Sequence, residues 1–143
     1  MNSISHFSKL MLAVVATVTF NSSDVRAHSD DYFDARPSPH GGQVRMSGAY
    51  HFELVMDEKA IVVYVTDHAD QPIATTGAVG TLEIRAAGEK TVVDLMPGDG
   101  NILKSTSAWP GTLTPDLKAQ LSVTFPNKKP SKAKFTPFAK PRK

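Results

Sequence analysis

The sequence of 143 residues contains no cysteine. This excludes a disulfide, a thiolate metal site and a cysteine nucleophile, so that soft-metal ligation has to come from histidine and methionine. The sequence also lacks the Gly-rich phosphate loop, the His-Glu-x-x-His helix and the Gly-x-Ser-x-Gly elbow of well-known enzyme classes. Gly77-Ala78-Val79-Gly80 has no lysine to complete a phosphate cradle. We therefore predict that the protein is not an enzyme.

Long apolar runs are missing as well. A membrane-spanning helix needs about 20 apolar residues, whereas the apolar run from Leu10 to Phe20 has eleven. Lys9 precedes this run, and Val25-Arg26-Ala27 follows it with small residues suited to cleavage. The layout predicts a cleavable signal peptide over residues 1–27, an exported protein and no transmembrane segment in the mature chain. The alternative interpretation is a buried N-terminal helix.

Acidic residues are absent from the C-terminal end of the chain. Residues 126–143 carry seven Lys and Arg and no Asp or Glu, whereas residues 28–125 carry seven Lys and Arg against thirteen Asp and Glu. A basic end of this kind can bind nucleic acid or an anionic membrane surface. Because an exported protein rarely meets nucleic acid, we predict no nucleic-acid partner. Part of the basic end, 132–138, is instead predicted to be an edge strand with its lysines in water.

No stretch keeps helical spacing for three turns, and alternation with a period of two dominates. The segment from Ala49 to Asp57 places Tyr50, Phe52, Leu54 and Met56 on one face, which predicts a half-buried strand. A hairpin over Met56 to Ala60 leads into the apolar run that starts at Ala60. The other predicted strands are QVRMS, GTLEIRAAG, KTVVDLMPGDG, NILKSTSAW, LKAQLSVTF and KAKFTPF.

About eight short strands at even spacing predict an all-β fold, a small antiparallel immunoglobulin-like β-sandwich. We expect the sandwich to span residues 40–138, after a leader at 28–39 that is mobile or becomes ordered on contact. Residues 139–143 are expected to be a frayed basic end. Trp109, the only tryptophan, is expected to be a core or edge anchor.

Four histidines follow the predicted signal peptide: His28, His40, His51 and His68. Imidazole is a common ligand of zinc and copper. His51 lies early in one strand of a predicted hairpin and His68 follows the other strand, so both belong to the same end of the sheet. Gly41 and Gly42 allow the chain at His40 to bend close to a neighbour. The spacings match no fixed metal motif, and exposed histidines without a ligand remain the alternative.

His28 adds a separate hypothesis, which depends on cleavage after Ala27. A histidine at a free N-terminus offers both its amine and its ring nitrogen to tetragonal Cu(II). Asp30, Asp31 or His40 would complete such a site. Cleavage one residue away would abolish it.

The segments PHGGQVRMSGAYHFELVM and IVVYVTDHADQPIATTGAVGTLEI together resemble a small periplasmic β-domain. That domain occurs near the N-terminus of some heavy-metal efflux adaptor proteins and in stand-alone exported bacterial proteins. The shared features are the His-Gly-Gly opening, an aromatic-rich strand ending in an acidic turn, and an Asp-x-x-x-x-Pro turn before a Gly-bounded strand. The resemblance covers roughly residues 39–125, and only His40, Gly41 and Gly42 match the opening motif.

The resemblance implies a periplasmic location and a role in copper or divalent-metal homeostasis. The chain lacks the helical hairpin and the lipoyl-like segments of a full adaptor, so it would act as an accessory to heavy-metal efflux components. We therefore predict a periplasmic accessory protein that binds copper or zinc through His40, His51 and His68, with His28 as a further ligand. The alternative is an interaction module without metal, which docks on an envelope protein or surface through its acidic body or basic tail.

Overall fold

The computed structural model of the protein describes residues 30–107 and 109–139. The predicted signal peptide, His28 and residues 140–143 of the basic end lie outside the described residues. In the part of the chain that the structure describes, no helix has the length and apolar character of a membrane span. The helix and strands found there are α1 (Asp30–Asp34), β1 (Gln43–Ser47), β2 (Tyr50–Met56), β3 (Ile61–Thr66), β4 (Val79–Ala86), β5 (Glu89–Pro97), β6 (Ile102–Ser105), β7 (Lys118–Thr124) and β8 (Ser131–Phe135).

The hairpin turns follow from local sequence. Between β2 and β3, the carboxylate of Asp57 accepts hydrogen bonds from the backbone amides of Lys59 and Ala60 at 2.7 and 2.8 Å. Met56 pairs with Ile61 across this turn, which confirms the predicted hairpin. Between β4 and β5, Ala87 and Gly88 both have positive φ, 50° and 81°, as a two-residue type I′ turn requires.

All eight strands belong to one antiparallel sheet in the order β1-β2-β3-β6-β5-β4-β7-β8. The predicted all-β class is confirmed, but the strands form a single nearly closed sheet in place of the expected two-sheet sandwich. The reason is the placement of β6, which pairs with β3 on one side and with β5 on the other. It joins β1-β2-β3 to β5-β4-β7-β8 in one continuous sheet.

The two edge strands, β1 and β8, meet through side chains. The Gln43 side-chain oxygen accepts a hydrogen bond from the Thr136 amide at 2.7 Å, and the Ser47 hydroxyl accepts one from the Lys132 amide at 3.1 Å. Gln43 and Ser47 are the first and last residues of β1 and lie on the same side of the strand. Side chains of β1 thus satisfy amides along the edge of β8, where a ninth strand would otherwise supply carbonyl groups.

The core fills the concave side of the sheet with the alternating apolar residues of the strands. Trp109 belongs to this core and is 8% exposed, so the prediction of a core anchor is confirmed. Its indole lies against Gly111, where a β-carbon would come within 2.1 Å of the ring. The largest fully buried side chains are Phe52, Phe135, Leu54, Ile61, Leu82, Ile84, Leu95, Leu103, Leu117, Leu121, Val63 and Val65.

The described part of the predicted leader begins with α1, which contacts β1. Arg45 of β1 is 6% exposed, and its guanidinium donates two hydrogen bonds to the carboxylate of Asp34, at 2.8 and 3.1 Å. Such a two-point pair fixes both the distance and the orientation of its partners. From Asp30 onward, the chain is therefore held against the sheet at the end where β1 begins.

We expect Gln43→Ala to destabilise the protein by about 1–3 kcal/mol, because it leaves the Thr136 amide without its acceptor. Urea unfolding would measure the change as a shift of the midpoint. Gln120→Ala is the matched control, since Gln120 is exposed on β7, and should change stability by no more than about 0.5 kcal/mol. Equal shifts for both variants would contradict closure by Gln43.

Candidate functional site

A set of polar and aromatic residues lies on the outward side of β2 and β3, opposite to the core. Register places His51 beside Thr66 and Glu53 beside Tyr64. We call this outward surface, together with His40 of the preceding segment, the histidine face. His51 and Glu53 are each 5% exposed, although both were predicted to point to solvent from a half-buried strand. That prediction was wrong because the segment before β1 covers the outward side of β2.

Glu53 fastens this covering segment to the sheet. One of its carboxylate oxygens, Oε1, accepts hydrogen bonds from the backbone amides of His40 and Gly42, at 2.8 and 3.0 Å. The other oxygen, Oε2, lies 2.7 Å from Nδ1 of the His40 ring. Nearby, the Ser38 hydroxyl donates to the carbonyl oxygen of Gly42 at 2.7 Å. The carboxylate thus holds three donors of the His-Gly-Gly sequence.

The two glycines make this arrangement sterically possible. Gly41 has φ of +75°, a conformation that side-chain-bearing residues rarely adopt. At Gly42, a β-carbon would lie 2.4 Å from the carbonyl oxygen of Leu54, so the backbone passes too close to β2 for any side chain. The structural reason for the His-Gly-Gly sequence is therefore a tight turn over a buried carboxylate.

The hydrogen bonds decide the charge state of Glu53. Burial alone raises the pKa of its carboxyl group, but hydrogen bonds from the His40 ring and from the amides of Gly42 and His40 together lower the pKa below its ordinary value. An ionised carboxylate can only accept, so the proton of the His40 ring lies on Nδ1. The Nε2 lone pair is then free for another partner. The ring stacks on Tyr64, with centroids 3.6 Å apart and planes 2° from parallel.

His51 is held from three sides. Its Nδ1 lies 3.3 Å from a carboxylate oxygen of Asp70, and its ring makes an edge contact with Phe33 of α1 at 5.1 Å between centroids. On another side it stacks with the ring of His68, also at 5.1 Å and 11° from parallel. The remaining nitrogen, Nε2, is buried and has no hydrogen-bond partner within the described residues.

The loop after β3 positions both His68 and Asp70. The carboxylate of Asp67 accepts hydrogen bonds from the amides of Ala69 and Gln71, at 2.8 and 2.9 Å, and fixes the turn. Asp70 has φ of 57°, a conformation that Asp tolerates better than most residues. In this loop, Nε2 of His68 lies 2.9 Å from the carbonyl oxygen of Gly48. Because a carbonyl only accepts, the His68 proton lies on Nε2 and the Nδ1 lone pair is free.

A cavity of about 250 Å³ opens between these groups. His40 and Tyr64 belong to its lining, and so do His51 and Asp70. The full lining consists of Pro39, His40, Val44, His51, Glu53, Tyr64, Thr66, Asp70, Pro72 and Asn101. Two of the predicted ligands, His40 and His51, therefore share one cavity.

The predicted metal ligands come together only in part. His40 and His51 line the cavity, and His68 stacks behind His51 without lining it. His28 lies outside the described residues, so the structure does not address the N-terminal copper hypothesis. Within residues 30–107 and 109–139, no group of three or more His, Asp or Glu side chains has the spacing of a metal site.

Three residues of this site were not singled out from the sequence. Glu53 and Tyr64 lie at paired outward positions of β2 and β3. Asp70 lies in the loop after β3, and its carboxylate contacts His51. The signal that marks Glu53 is its position two residues after His51, on the same side of a strand, with a Gly-Gly pair upstream to approach it.

Comparison with known proteins adds no relative. The chain matches no protein-family model, no curated protein and no solved structure. The resemblance to the periplasmic domain of metal efflux adaptors therefore stays a hypothesis carried by the His-Gly-Gly opening and the segments that follow it.

Glu53→Gln should destabilise the protein at neutral pH and lose this effect in acid. Because the folded-state pKa of Glu53 is lowered, its stabilising contribution is present above the unfolded value of about 4.3 and disappears as pH falls through the folded pKa. At pH 7 we expect a cost of about 1.5–3 kcal/mol. The urea midpoints of Glu53→Gln and of the unchanged protein, measured between pH 7 and pH 2, should approach each other as the pH falls.

The control for this experiment is Glu58→Gln, in the exposed turn after β2. Its urea midpoint should follow that of the unchanged protein at every pH. A stability difference between Glu53→Gln and the unchanged protein that persists at pH 2 would show that the carboxylate charge is not the stabilising feature.

The two glycines should respond differently to alanine. Gly42→Ala places a β-carbon against the Leu54 carbonyl and should cost more than about 3 kcal/mol, since the backbone has to shift and breaks the contacts to Glu53. Gly41→Ala meets no atom within 4 Å and suffers only from its positive φ, at about 1 kcal/mol. Urea unfolding would rank them, and a larger effect at Gly41 would contradict the close approach at Gly42.

Proposed function

We propose that the protein binds a transition-metal ion, Cu(II) or Zn(II), through the neutral imidazoles of His40, His51 and His68. It acts as an accessory in heavy-metal homeostasis and catalyses no redox or hydrolytic reaction. When bound, the ion is a cargo or a signal, and the chain supplies nitrogen ligands and excludes water from one side of them.

The observation that carries this proposal is the orientation of the three rings. Metal-ligating histidines almost always donate their second ring nitrogen to a carboxylate or a backbone carbonyl, which fixes the tautomer and raises the basicity of the ligating nitrogen. His40 does so to Glu53, His51 to Asp70 and His68 to Gly48. Each ring therefore keeps one lone pair for a metal.

His51 is the central ligand in this proposal. A buried nitrogen without a partner is costly, because it has lost water without gaining a hydrogen bond. Nε2 of His51 is such a nitrogen, and a metal ion would satisfy it. Since the described residues contain no preformed group of three ligands, we expect the ion itself to draw the neighbouring rings together, as is common where metal binding and local folding are coupled.

The location and the partners are separate parts of the proposal. A periplasmic location is supported by the signal-like N-terminus, and an association with heavy-metal efflux components is supported by the resemblance alone. Mass spectrometry of the exported protein would identify its N-terminus, and cleavage after Ala27 is the expected result.

Calorimetric titration of Cu(II) and Zn(II) is the decisive measurement. We expect micromolar or tighter binding that vanishes in the triple variant His40→Ala, His51→Ala, His68→Ala. Binding that survives in this variant but disappears when the N-terminal amine is blocked would assign the site to His28. No binding to the unchanged protein would overturn the proposal.

A milder variant separates ligation from damage to the fold. Asp70→Asn leaves every imidazole in place but weakens the orientation of His51, so metal affinity should fall by about 10–100-fold. Asp94→Asn removes the same charge from an exposed position of β5, away from the residues that line this cavity, and should leave the affinity unchanged. Equal losses in the two variants would indicate a general effect of charge, and ligation by His51 would be wrong.

A further inference from the structure

Five exposed cations cluster on the outward side of four neighbouring strands. Arg85 of β4 lies directly opposite Lys90 of β5 on one side and Lys118 of β7 on the other. On β8, Lys132 and Lys134 point outward beside Ser122 and Gln120 of β7. We call the outward surface of β5, β4, β7 and β8 the basic face. It joins residues of the acidic body to the basic end of the chain.

Cations lie opposite cations along this row, which distinguishes it from an ordinary solvated surface with charges of both signs. Like charges directly opposite each other on adjacent strands destabilise a sheet, and Arg85 has a cation opposite it on both sides. Protection of a sheet edge explains only the two lysines of β8, since exposed lysines discourage further pairing there. Arg85 and Lys118 lie on interior strands, where no edge needs protection.

Few carboxylates offset the positive charge of the basic face. Glu83 is paired with both Arg85 and Lys90, at 2.8 and 2.7 Å. Asp94 points outward at the opposite end of β5, beside Thr81. Among the ion pairs of the described residues, none involves Lys118, Lys132 or Lys134. These three lysines are therefore the uncompensated part of the basic face.

The acidic helix α1 borders the same region without neutralising it. Asp30, Asp31 and Asp34 line one wall of an open groove whose other wall includes Lys118 and Lys134. Asp30 and Asp34 are already paired with Arg45, at 3.5 and 2.8 Å. With this single guanidinium, the three carboxylates keep a net charge of −2, which offsets only in part the net +4 of the five cations and Glu83.

The side chains of the basic face indicate which class of partner it fits. Single-stranded nucleic acids are bound by aromatic platforms on which bases stack, and tight protein interfaces are anchored by Trp, Tyr and Arg. The outward positions of these four strands carry no aromatic side chain. Long lysines in a broad array suit a partner with diffuse negative charge. An anionic lipid surface attracts basic side chains in this way and needs no pocket.

We propose that the basic face docks the protein on a membrane surface rich in anionic phospholipid headgroups, with Lys118, Lys132 and Lys134 making the principal contribution. This inference does not depend on metal binding by the histidine face. Docking is peripheral and electrostatic, and it therefore weakens as salt screens the charges.

Co-sedimentation with lipid vesicles tests the proposal. Vesicles of phosphatidylcholine containing a third phosphatidylglycerol should bind the protein more strongly than vesicles of phosphatidylcholine alone. The excess should decline steeply between 50 and 300 mM NaCl. Each surface cation contributes about fivefold to such binding, so Lys118→Gln with Lys134→Gln should reduce the excess by about 25-fold.

The matched control removes the same charge elsewhere. Lys59→Gln with Lys104→Gln alters two exposed lysines outside the basic face, on the β2–β3 turn and on β6. The unchanged protein and both double variants carry the same N-terminal segment, so differences in vesicle binding between them come from the substituted lysines. The control should keep the excess binding within about twofold, less than the effect of one cation. Equal losses in the two double variants, or equal binding of the unchanged protein to anionic and neutral vesicles, would overturn the proposal.

Discussion

The buried carboxylate of Glu53 is the interaction on which the histidine face depends. An ionised group with so little contact with water is stable only if its oxygens accept several hydrogen bonds. Glu53 obtains them from the ring and amide of His40 and from the amide of Gly42. This requirement forces the chain into a tight turn over β2, with positive φ at Gly41 and no side chain at Gly42. The same turn sets the tautomer of His40, lays its ring on Tyr64, and delivers the chain to the start of β1, where Gln43 begins to close the sheet.

Burial on both sides makes β2 different from the other strands. Its inward side packs Phe52 and Leu54 into the core, and its outward side is covered by the segment from Asp30 to Gly42. A polar side chain that is buried under such a cover either forms hydrogen bonds or lowers the stability of the fold. Glu53 is fully paired, whereas Nε2 of His51 is not. Glu53 and His51 lie on the same side of the same strand, yet only Glu53 has all its hydrogen bonds. This contrast supports the proposal that His51 is the central metal ligand.

The sequence indicated the strands because alternation with a period of two is a local property, and all eight strands lie where it predicted them. Turn residues such as Gly88 and Asp57 have equally local signals. The order of the strands is not local, because nothing in β6 itself shows that it pairs with both β3 and β5. The hydrogen bonds by which Gln43 and Ser47 join β1 to the last strand could not be predicted either, because they too link residues that are distant in the sequence. At the site, alternation correctly put His51 and Glu53 on the non-core side of β2. It could not reveal the cover over that side, so their burial and the roles of Asp70 and Tyr64 were missed.

The strand order also decides how the two surfaces of the protein relate to each other. β2 and β4 are four places apart in the sheet, but β8 meets β1, so the basic face reaches to within two strands of β2 on that side. Charges separated by more than about 8–10 Å are largely screened at physiological salt. The lysines of β8 are two strand spacings from β2, roughly 10 Å, so salt reduces their repulsion of a metal cation at His51 without abolishing it. The sheet thus carries the histidine face on β2 and β3 and the basic face on β5, β4, β7 and β8, so that each surface can be altered by substitutions that leave the strands of the other unchanged.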